Sequence, residues 1–534
     1  MRRFTARSCL SRVPWERIGQ VRSSRAWWPL AGLIAGAVGL AISYAAAALL
    51  HVRDSPVVAV AEGVIALTPG PVATWAIDTF DTADKKVLVV GMLVVVALLF
   101  GWFGRLAHRR WWAAVTGYVV LAGIAVVAVL TKPTPSLIDL APVVVGLLCW
   151  LVALALLAEW LRRWELVEDV PGPADDAVPT RRRFFVLAGA MAAVTVVGGL
   201  AGRIAGNARR KAEQSRRLLR IEGVTAPVVP DGVAVGVDGV SPWQTPNDDF
   251  YLIDTAIIKP TVAPAEWELR IHGKVEREIR LTYADLVGRE ITQDWITLNC
   301  VSNEVGGDLV GNAWWSGVRL AAILAEAKPL AGADAVLQTS EDGWTCGTPL
   351  AALMDDRNAM LAVAMNGEPL PIEHGFPVRT IVPGLYGYVS ACKWVVDMEV
   401  TSFEDITAYW TDKGWSEQGP VKIASKIEVP GDGAEVPAGE LVCAGVAWFQ
   451  HTGISGVEVQ VDGGRWQRAT LATTPNADTW VQWRAVLDVD PGEHQLRVRA
   501  IDAEGRTQTG AVADVVPDGA TGWHTIDLTV SAQD

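Results

Sequence analysis

Five stretches of this chain, residues 26–50, 87–104, 111–131, 140–158 and 184–201, carry no charged side chain. Each is long enough to cross a bilayer as a helix, which takes roughly 17–25 residues. In lipid the backbone must satisfy its own hydrogen bonds, so helices are the expected form. Residues 55–77 are also apolar, but Glu62, Pro69 and Pro71 interrupt them, and they read as an interfacial loop segment.

Charge divides the chain in two. Residues 1–240 hold 26 Lys+Arg and 17 Asp+Glu, a net of +9, whereas residues 241–534 hold 20 and 42, a net of -22. An acidic soluble half excludes nucleic acid as a partner, since phosphate requires basic surface. A hydrophobic content of 51% excludes a disordered chain, and six Cys in 534 residues exclude a disulfide-dense scaffold. Twenty-four Trp fit a membrane protein with aromatic belts.

Loops rich in Lys and Arg stay on the cytoplasmic side. Arg2, Arg3, Arg7, Arg12, Arg17, Arg22 and Arg25 place the N-terminus inside. Arg105, Arg109 and Arg110, and then Arg162, Arg163 and Arg181–Arg183, place two later loops inside as well. Five crossings then put everything after residue 201 outside the cytoplasm. Arg203, Arg209, Arg210, Lys211, Arg216 and Arg217 disagree, because they follow the fifth span on the outer side. The run Thr180-Arg181-Arg182-Arg183-Phe184-Phe185-Val186-Leu187 resembles an internal twin-arginine export signal, although an ordinary basic cluster before a helix reads the same way. Haem ligation in the bundle needs facing His residues. The candidates, His51 and His108, sit at span ends, so no haem is expected.

The predicted organisation is a membrane domain over residues 1–205, a linker over 206–240, an α+β domain over 241–418 and a β-sandwich of immunoglobulin type over 419–534. In the α+β part, residues 266–275, 291–298, 335–339 and 397–400 read as strands, and 282–286 and 320–327 as helices. In the last part, Val457, Val459 and Val461 alternate with polar residues into Asp462-Gly463-Gly464, a hairpin signal. Residues 480–489, 495–501 and 523–530 alternate likewise.

Cys300, Cys346, Cys392 and Cys443 form no CxxC pair, which argues against a structural zinc site. Cys300 ends an apolar strand and opens a loop containing Asn303, Gly306 and Gly307, a position suited to meeting a ligand or, equally, to an inert buried thiol. The second cluster sets His374, Arg379 and Lys393 among glycines, with Ser390 nearby. Glycine lets backbone N–H groups approach an anion, and arginine offers a planar fork to phosphate.

These two clusters resemble the molybdenum-cofactor domain of the sulfite oxidase family. Asn247-Asp248-Asp249-Phe250-Tyr251, Gly311-Asn312-Ala313-Trp314-Trp315-Ser316-Gly317-Val318 and the run 454–466 extend the resemblance over about residues 243–530. It implies an α+β sulfite-oxidase-type molybdopterin domain and a C-terminal immunoglobulin-like β-sandwich of the dimerisation type; with the N-terminal α-helical membrane bundle read from the charge-free stretches, to which the resemblance adds nothing, the expected fold is multi-domain. The resemblance implies Cys300 as the molybdenum ligand, and Tyr251, Asn303, His374, Arg379, Ser390 and Lys393 as the residues holding molybdopterin. Trp344 takes the place of an active-site tyrosine. Glu304, Val305 and Asp254 stand where arginines surround the anion in sulfite oxidases. Sulfite beside Asp254 and Glu304 would be repelled unless a cation intervenes. The expected activity is therefore oxygen-atom transfer on a neutral S- or N-oxide at an extracytoplasmic molybdenum centre. Alternatives are repair of oxidised methionine in exported proteins, sulfite oxidation, and a cofactor-free binding module. The expected partners are a small-molecule or oxidised-residue substrate, an electron carrier, the membrane and a second copy in a homodimer.

Overall fold

The computed structural model describes residues 24–532, apart from residues 51, 53–54, 70–71, 73–74, 77–78, 81–82, 132–136, 169–176 and 206–207. The arginines before Ser24, together with His51, lie outside the described residues. The chain forms two compact units. One comprises Met1–Ile65 and Ala76–Asn207, the other Ala66–Trp75 and Ala208–Asp534.

In the first unit, five helices are long and apolar enough to cross a membrane: Arg25–Leu49, Lys85–Arg109, Trp111–Leu130, Leu137–Leu166 and Arg182–Leu200. They coincide with the five charge-free stretches. The first is the most enclosed. A Cβ at Gly32 would overlap the backbone of Phe100 and Gly104, and one at Gly36 the Phe100 ring. Small residues thus let these helices approach closely, the device by which helices also pack in membranes. The carbonyls so bared accept hydrogen bonds, Gly36 O from Trp150 Nε1 (2.9 Å) and Gly32 O from Tyr118 Oη (3.2 Å). His108 sits 3.2 Å from Glu165 Oε1, an oxygen that also accepts from Trp28 Nε1. The interfacial-loop reading of residues 55–77 is corrected in part, because Pro56–Leu67 is a helix. Proline at its first position costs nothing there, since that N–H has no intrahelical partner.

In the second unit, the helix Ala208–Leu218 corrects the reading of residues 206–240 as linker alone. Its Arg216 pairs with Glu213 (3.0 Å) and donates to Pro369 O (3.2 Å), so one of the basic residues that disagreed with the loop-charge rule is engaged by protein. Val233, farther on, is buried.

Two sheets follow. Strands β1 (Glu268–Gly273), β2 (Ile279–Thr282), β5 (Ala335–Ser340), β6 (Thr345–Pro349) and β10 (Val395–Thr401) pair in the order β2-β1-β10-β5-β6. Strands β3 (Thr292–Asn299), β4 (Val310–Arg319), β7 (Met360–Met365) and β8 (Glu368–Pro369) form the second sheet, and β9 (Arg379–Ile381) pairs with β7. Thr282 and Asp285 form a capping box that starts the helix Tyr283–Val287. Trp267, Leu269, Ile271, Leu320, Ile323 and Met398 belong to the core between these elements.

Beyond residue 423 the chain is β-rich. Strands β11 (Ala424–Val429), β13 (Gly439–Trp448), β16 (Thr470–Leu471) and β17 (Val481–Val489) make one sheet. Strands β12 (Ala434–Pro437), β14 (Ile454–Val461), β15 (Gln467–Arg468), β18 (Gly492–Asp502) and β19 (His524–Ser531) make the other. Val457, Val459, Trp483, Leu496, Val498 and Ile526 fill one shared core. Asp462 and Gly463 take positive φ (50° and 70°) in the turn after β14, as the Asp-Gly signal requires.

Candidate active site

The β3–β4 ladder ends at the Asn299–Val310 pair. Cys300 N then donates to Leu309 O (2.9 Å), so the hairpin is held shut one residue beyond its ladder. Inside the loop, Asn303 Oδ1 accepts from Leu309 N (2.8 Å), and Gly306 takes φ 82° where a Cβ would overlap the His524 ring. Cys300 is thus fixed by the backbone on both sides. Burial pushes its thiol up, opposed by hydrogen bonds from Ser302 and by the charge of Lys393.

The second cluster is brought together by a bridge between Arg379 and Lys393 and by Thr380 N donating to Cys392 O (3.0 Å). Gly375, at φ 107°, would place a Cβ 3.0 Å from Arg379 Cβ and 3.2 Å from Lys393 Cβ. Only glycine gives both the left-handed backbone and this close approach. Arg379 is buried. Its guanidinium donates to His374 O (3.2 Å) and lies 5.2 Å from the Trp315 ring centre. Among the described residues no carboxylate pairs with it. Burial pulls Arg379 down to about 10. Burial likewise pulls Lys393 down to about 8, although the nearby Asp254 carboxylate favours its charged form.

Cys300, Tyr251, Arg379, Lys393 and Trp344 line one cavity of about 820 Å³, counted to its open mouth. Burial, and then the charge of Cys300, push the Tyr251 hydroxyl well above the usual tyrosine range. The other three residues expected at the site do not line this cavity. Ser390 Oγ is spent on Tyr386 O (2.9 Å). Asn303 faces a second, smaller cavity together with Glu304. His374 lies behind Arg379, its Nε2 3.0 Å from Asn247 O. A carbonyl accepts, so Nε2 carries the proton and Nδ1 is an acceptor, buried and without a partner. Burial, with Lys393 and Arg379 adding to it, lowers His374 to about 3, so its ring is neutral.

Sequence reasoning missed Lys259, Asp342, Tyr388, Trp410 and Trp415. Lys259 binds Asp254 through both carboxylate oxygens, and Lys393 Nζ lies 3.1 Å from Asp254 Oδ2. The cation whose absence would have made Asp254 repel sulfite is therefore present. Glu304 faces the other cavity, so neither acid weighed from the sequence opposes an anion here. Asp342 does line the main cavity. Trp410 and Trp415 were legible only as a local excess of tryptophan.

Among the described residues, no three His, Cys, Asp or Glu side chains gather as a metal cage. The donor set is instead one buried thiol, one buried arginine without a counter-ion, one lysine and an orphaned imidazole acceptor. Those residues fit a phosphorylated organic group that brings a soft metal to a single protein thiolate.

The fold and site define an oxidoreductase with a molybdopterin-binding domain. The oxidoreductase molybdopterin binding domain family matches residues 256–410. An uncharacterised oxidoreductase of Bacillus subtilis, YuiH, is 31% identical over 180 residues, 34% of this chain and 87% of that protein. Sulfite oxidase of Gallus gallus is 28% identical over 327 residues, 51% of this chain and 70% of that protein. The mouse mitochondrial sulfite oxidase matches at 29% identity, with 58% of its length covered. Among solved structures, the sulfane dehydrogenase SoxCD of Paracoccus pantotrophus matches 53% of this chain and 81% of that chain, at 23% identity and TM-score 0.45. The chain belongs to the sulfite oxidase family of molybdopterin oxidoreductases.

Proposed function

We propose that the chain is a membrane-anchored enzyme that uses molybdenum-molybdopterin for oxygen-atom transfer, and that the reacting group of its substrate is a neutral S- or N-oxide rather than sulfite. The observation that carries the reading is the convergence of Cys300, Arg379 and Lys393 on one cavity, with Arg379 buried and lacking a carboxylate partner among the described residues. Cys300 is the protein ligand to the metal. Arg379 and Lys393 receive the phosphate. His374 lies behind Arg379 with Nδ1 open as an acceptor, and Tyr251 keeps its proton and would donate it as a hydrogen bond to the cofactor. Asn303 and Ser390 act from behind, holding the loops that carry these groups. Trp344 borders the reacting centre on the substrate side. When bound, the cofactor supplies two-electron oxygen-atom transfer, with electrons exchanged one at a time with a carrier.

The charge of the cavity supports a neutral oxide. Lys393 and Lys259 are engaged with Asp254, Arg379 is reserved for the cofactor, and Asp342 adds a negative charge near Trp344. An incoming dianion meets no uncommitted cation there. Reduction of such an oxide takes two electrons and two protons and releases water. An oxidised methionine side chain is one such oxide.

The chain is further read as a multi-pass membrane protein with residues 241–418 as the molybdopterin domain and 419–534 as an immunoglobulin-like dimerisation domain, both outside the cytoplasm. Export by a twin-arginine route through Arg181–Arg183 would permit cofactor loading before crossing. Protease protection in right-side-out vesicles tests the sidedness. The activity is tested by steady-state assays of molybdenum-loaded protein on dimethyl sulfoxide, trimethylamine N-oxide and sulfite, alongside metal analysis. Turnover of an oxide, with Cys300→Ser reduced at least about a hundredfold, supports the reading. Efficient sulfite turnover, or a molybdenum content near zero from a competent host, overturns it.

A further inference from the structure

One end of the main cavity is built from aromatic rings. Tyr388 and Trp415 have ring centres 5.8 Å apart, and Trp415 and Trp410 6.2 Å apart at an interplanar angle of 79°. All three residues line the cavity, so together they form an aromatic part of its wall. The wall is fixed in place: Tyr388 Oη donates to Ser416 O (2.6 Å), and Trp415 N donates to Trp410 O (3.1 Å). Tyr409 N donates to Thr345 Oγ1 (3.1 Å), which ties the Trp410 segment to the strand that follows Trp344. Trp344 and Asp342 line the same cavity.

Asp342 is the carboxylate here that lacks a cation. One of its oxygens accepts from Trp344 N (3.2 Å), and no Lys, Arg or His pairs with it among the described residues. The other lining carboxylate, Asp254, is held by two lysines. The nearest cation of the aromatic segment, Lys413, stacks on Tyr409 (4.8 Å), which is not part of the lining. An uncharged apolar ligand would use the rings alone and leave Asp342 to be desolvated at a cost. A cation uses both, because the faces of Trp and Tyr attract positive charge and a carboxylate completes the match.

We infer that Asp342, Trp344, Tyr388, Trp410 and Trp415 form a cation-recognising subsite, and that the substrate is an S- or N-oxide whose non-reacting end carries an ammonium or quaternary ammonium group. The substrate part of this assignment rests on the oxygen-transfer reading above. The subsite itself does not.

Two measurements on the full-length protein in detergent separate them. Tetramethylammonium chloride is titrated against tryptophan fluorescence, with sodium chloride as the ionic-strength control. Saturable quenching is expected in the wild type, weakened about tenfold in Asp342→Asn and in Trp410→Leu. The ratio of kcat/KM for methionine sulfoxide methyl ester to that for its N-acetylated form is then compared. The ammonium ester is expected to be favoured about tenfold, and Asp342→Asn should bring that ratio close to one. A structural role for Asp342 would lower both rates and keep the ratio. Absence of tetramethylammonium binding, or a ratio untouched by Asp342→Asn, overturns the inference. If no oxide is turned over while tetramethylammonium still binds through Asp342, the oxygen-transfer reading falls and the cation subsite stands.

Discussion

Lys393 Nζ stands 3.1 Å from Asp254 Oδ2, and Lys259 holds the same carboxylate through both of its oxygens. Two cations thus share one anion at the inner wall of the cavity. The carboxylate offsets part of their charge, so the pair of lysines draws a substrate anion less strongly than two free cations would. Asp254→Asn should release them, and the kcat/KM ratio of sulfite to dimethyl sulfoxide should rise at least about tenfold, which corresponds to about 1.4 kcal/mol. Paired steady-state assays on the loaded enzyme measure it. A ratio that stays fixed would remove Asp254 as a determinant of substrate charge.

Arg379 leads to an opposite pair of effects in one variant. A buried cation without a counter-ion costs free energy that an apolar side chain of similar volume does not. Arg379→Met should therefore stabilise the cofactor-free chain by about 1–3 kcal/mol while lowering its molybdenum content more than tenfold. Thermal unfolding and metal analysis read the two effects separately. Loss of stability together with loss of metal would mean that Arg379 serves packing alone.

His374 sets an acid limb. Its pKa is depressed from 6.5 to about 3 by burial, so the unfolded chain binds a proton over that window and the folded one does not. The associated stability is complete above about pH 6.5 and is lost as pH falls toward 3, up to about 5 kcal/mol in all. Unfolding midpoints of the cofactor-free protein measured from about pH 7 down to pH 4 should fall, and His374→Gln should flatten the slope.

Gly36 tests the bundle. A side chain there would overlap the Phe100 ring, so Gly36→Val should cost about 1–3 kcal/mol. The readout is the thermal midpoint of the protein in detergent. A midpoint equal to that of the wild type would show that the two helices separate freely.

Much of the fold was legible because strong local signals agreed with it. The five long apolar helices were marked by absence of charge and the turn after Val461 by Asp-Gly, and the helix Leu320–Ala327 was read within its own bounds. Strand β4 was missed because Trp314, Trp315 and Ser316 belong to a strand buried on both faces, which shows no alternation. The helix Ala208–Leu218 was missed because its sequence is polar; buried Ala212 and the Arg216 contacts to Pro369 O and Glu368 show what it is held against. The site divided along the same line. Cys300, Arg379 and Lys393 stand in distinctive loops, whereas Lys259 and Asp342 acquire meaning only through what lies beside them across the fold.

Arg379 is buried with no carboxylate partner among the described residues, so its charge costs the folded chain free energy that a bound anion would offset. Whatever anion settles there contributes its binding free energy directly to folding. A shortage of that anion would then lower the stability of the folded chain and not its chemistry alone.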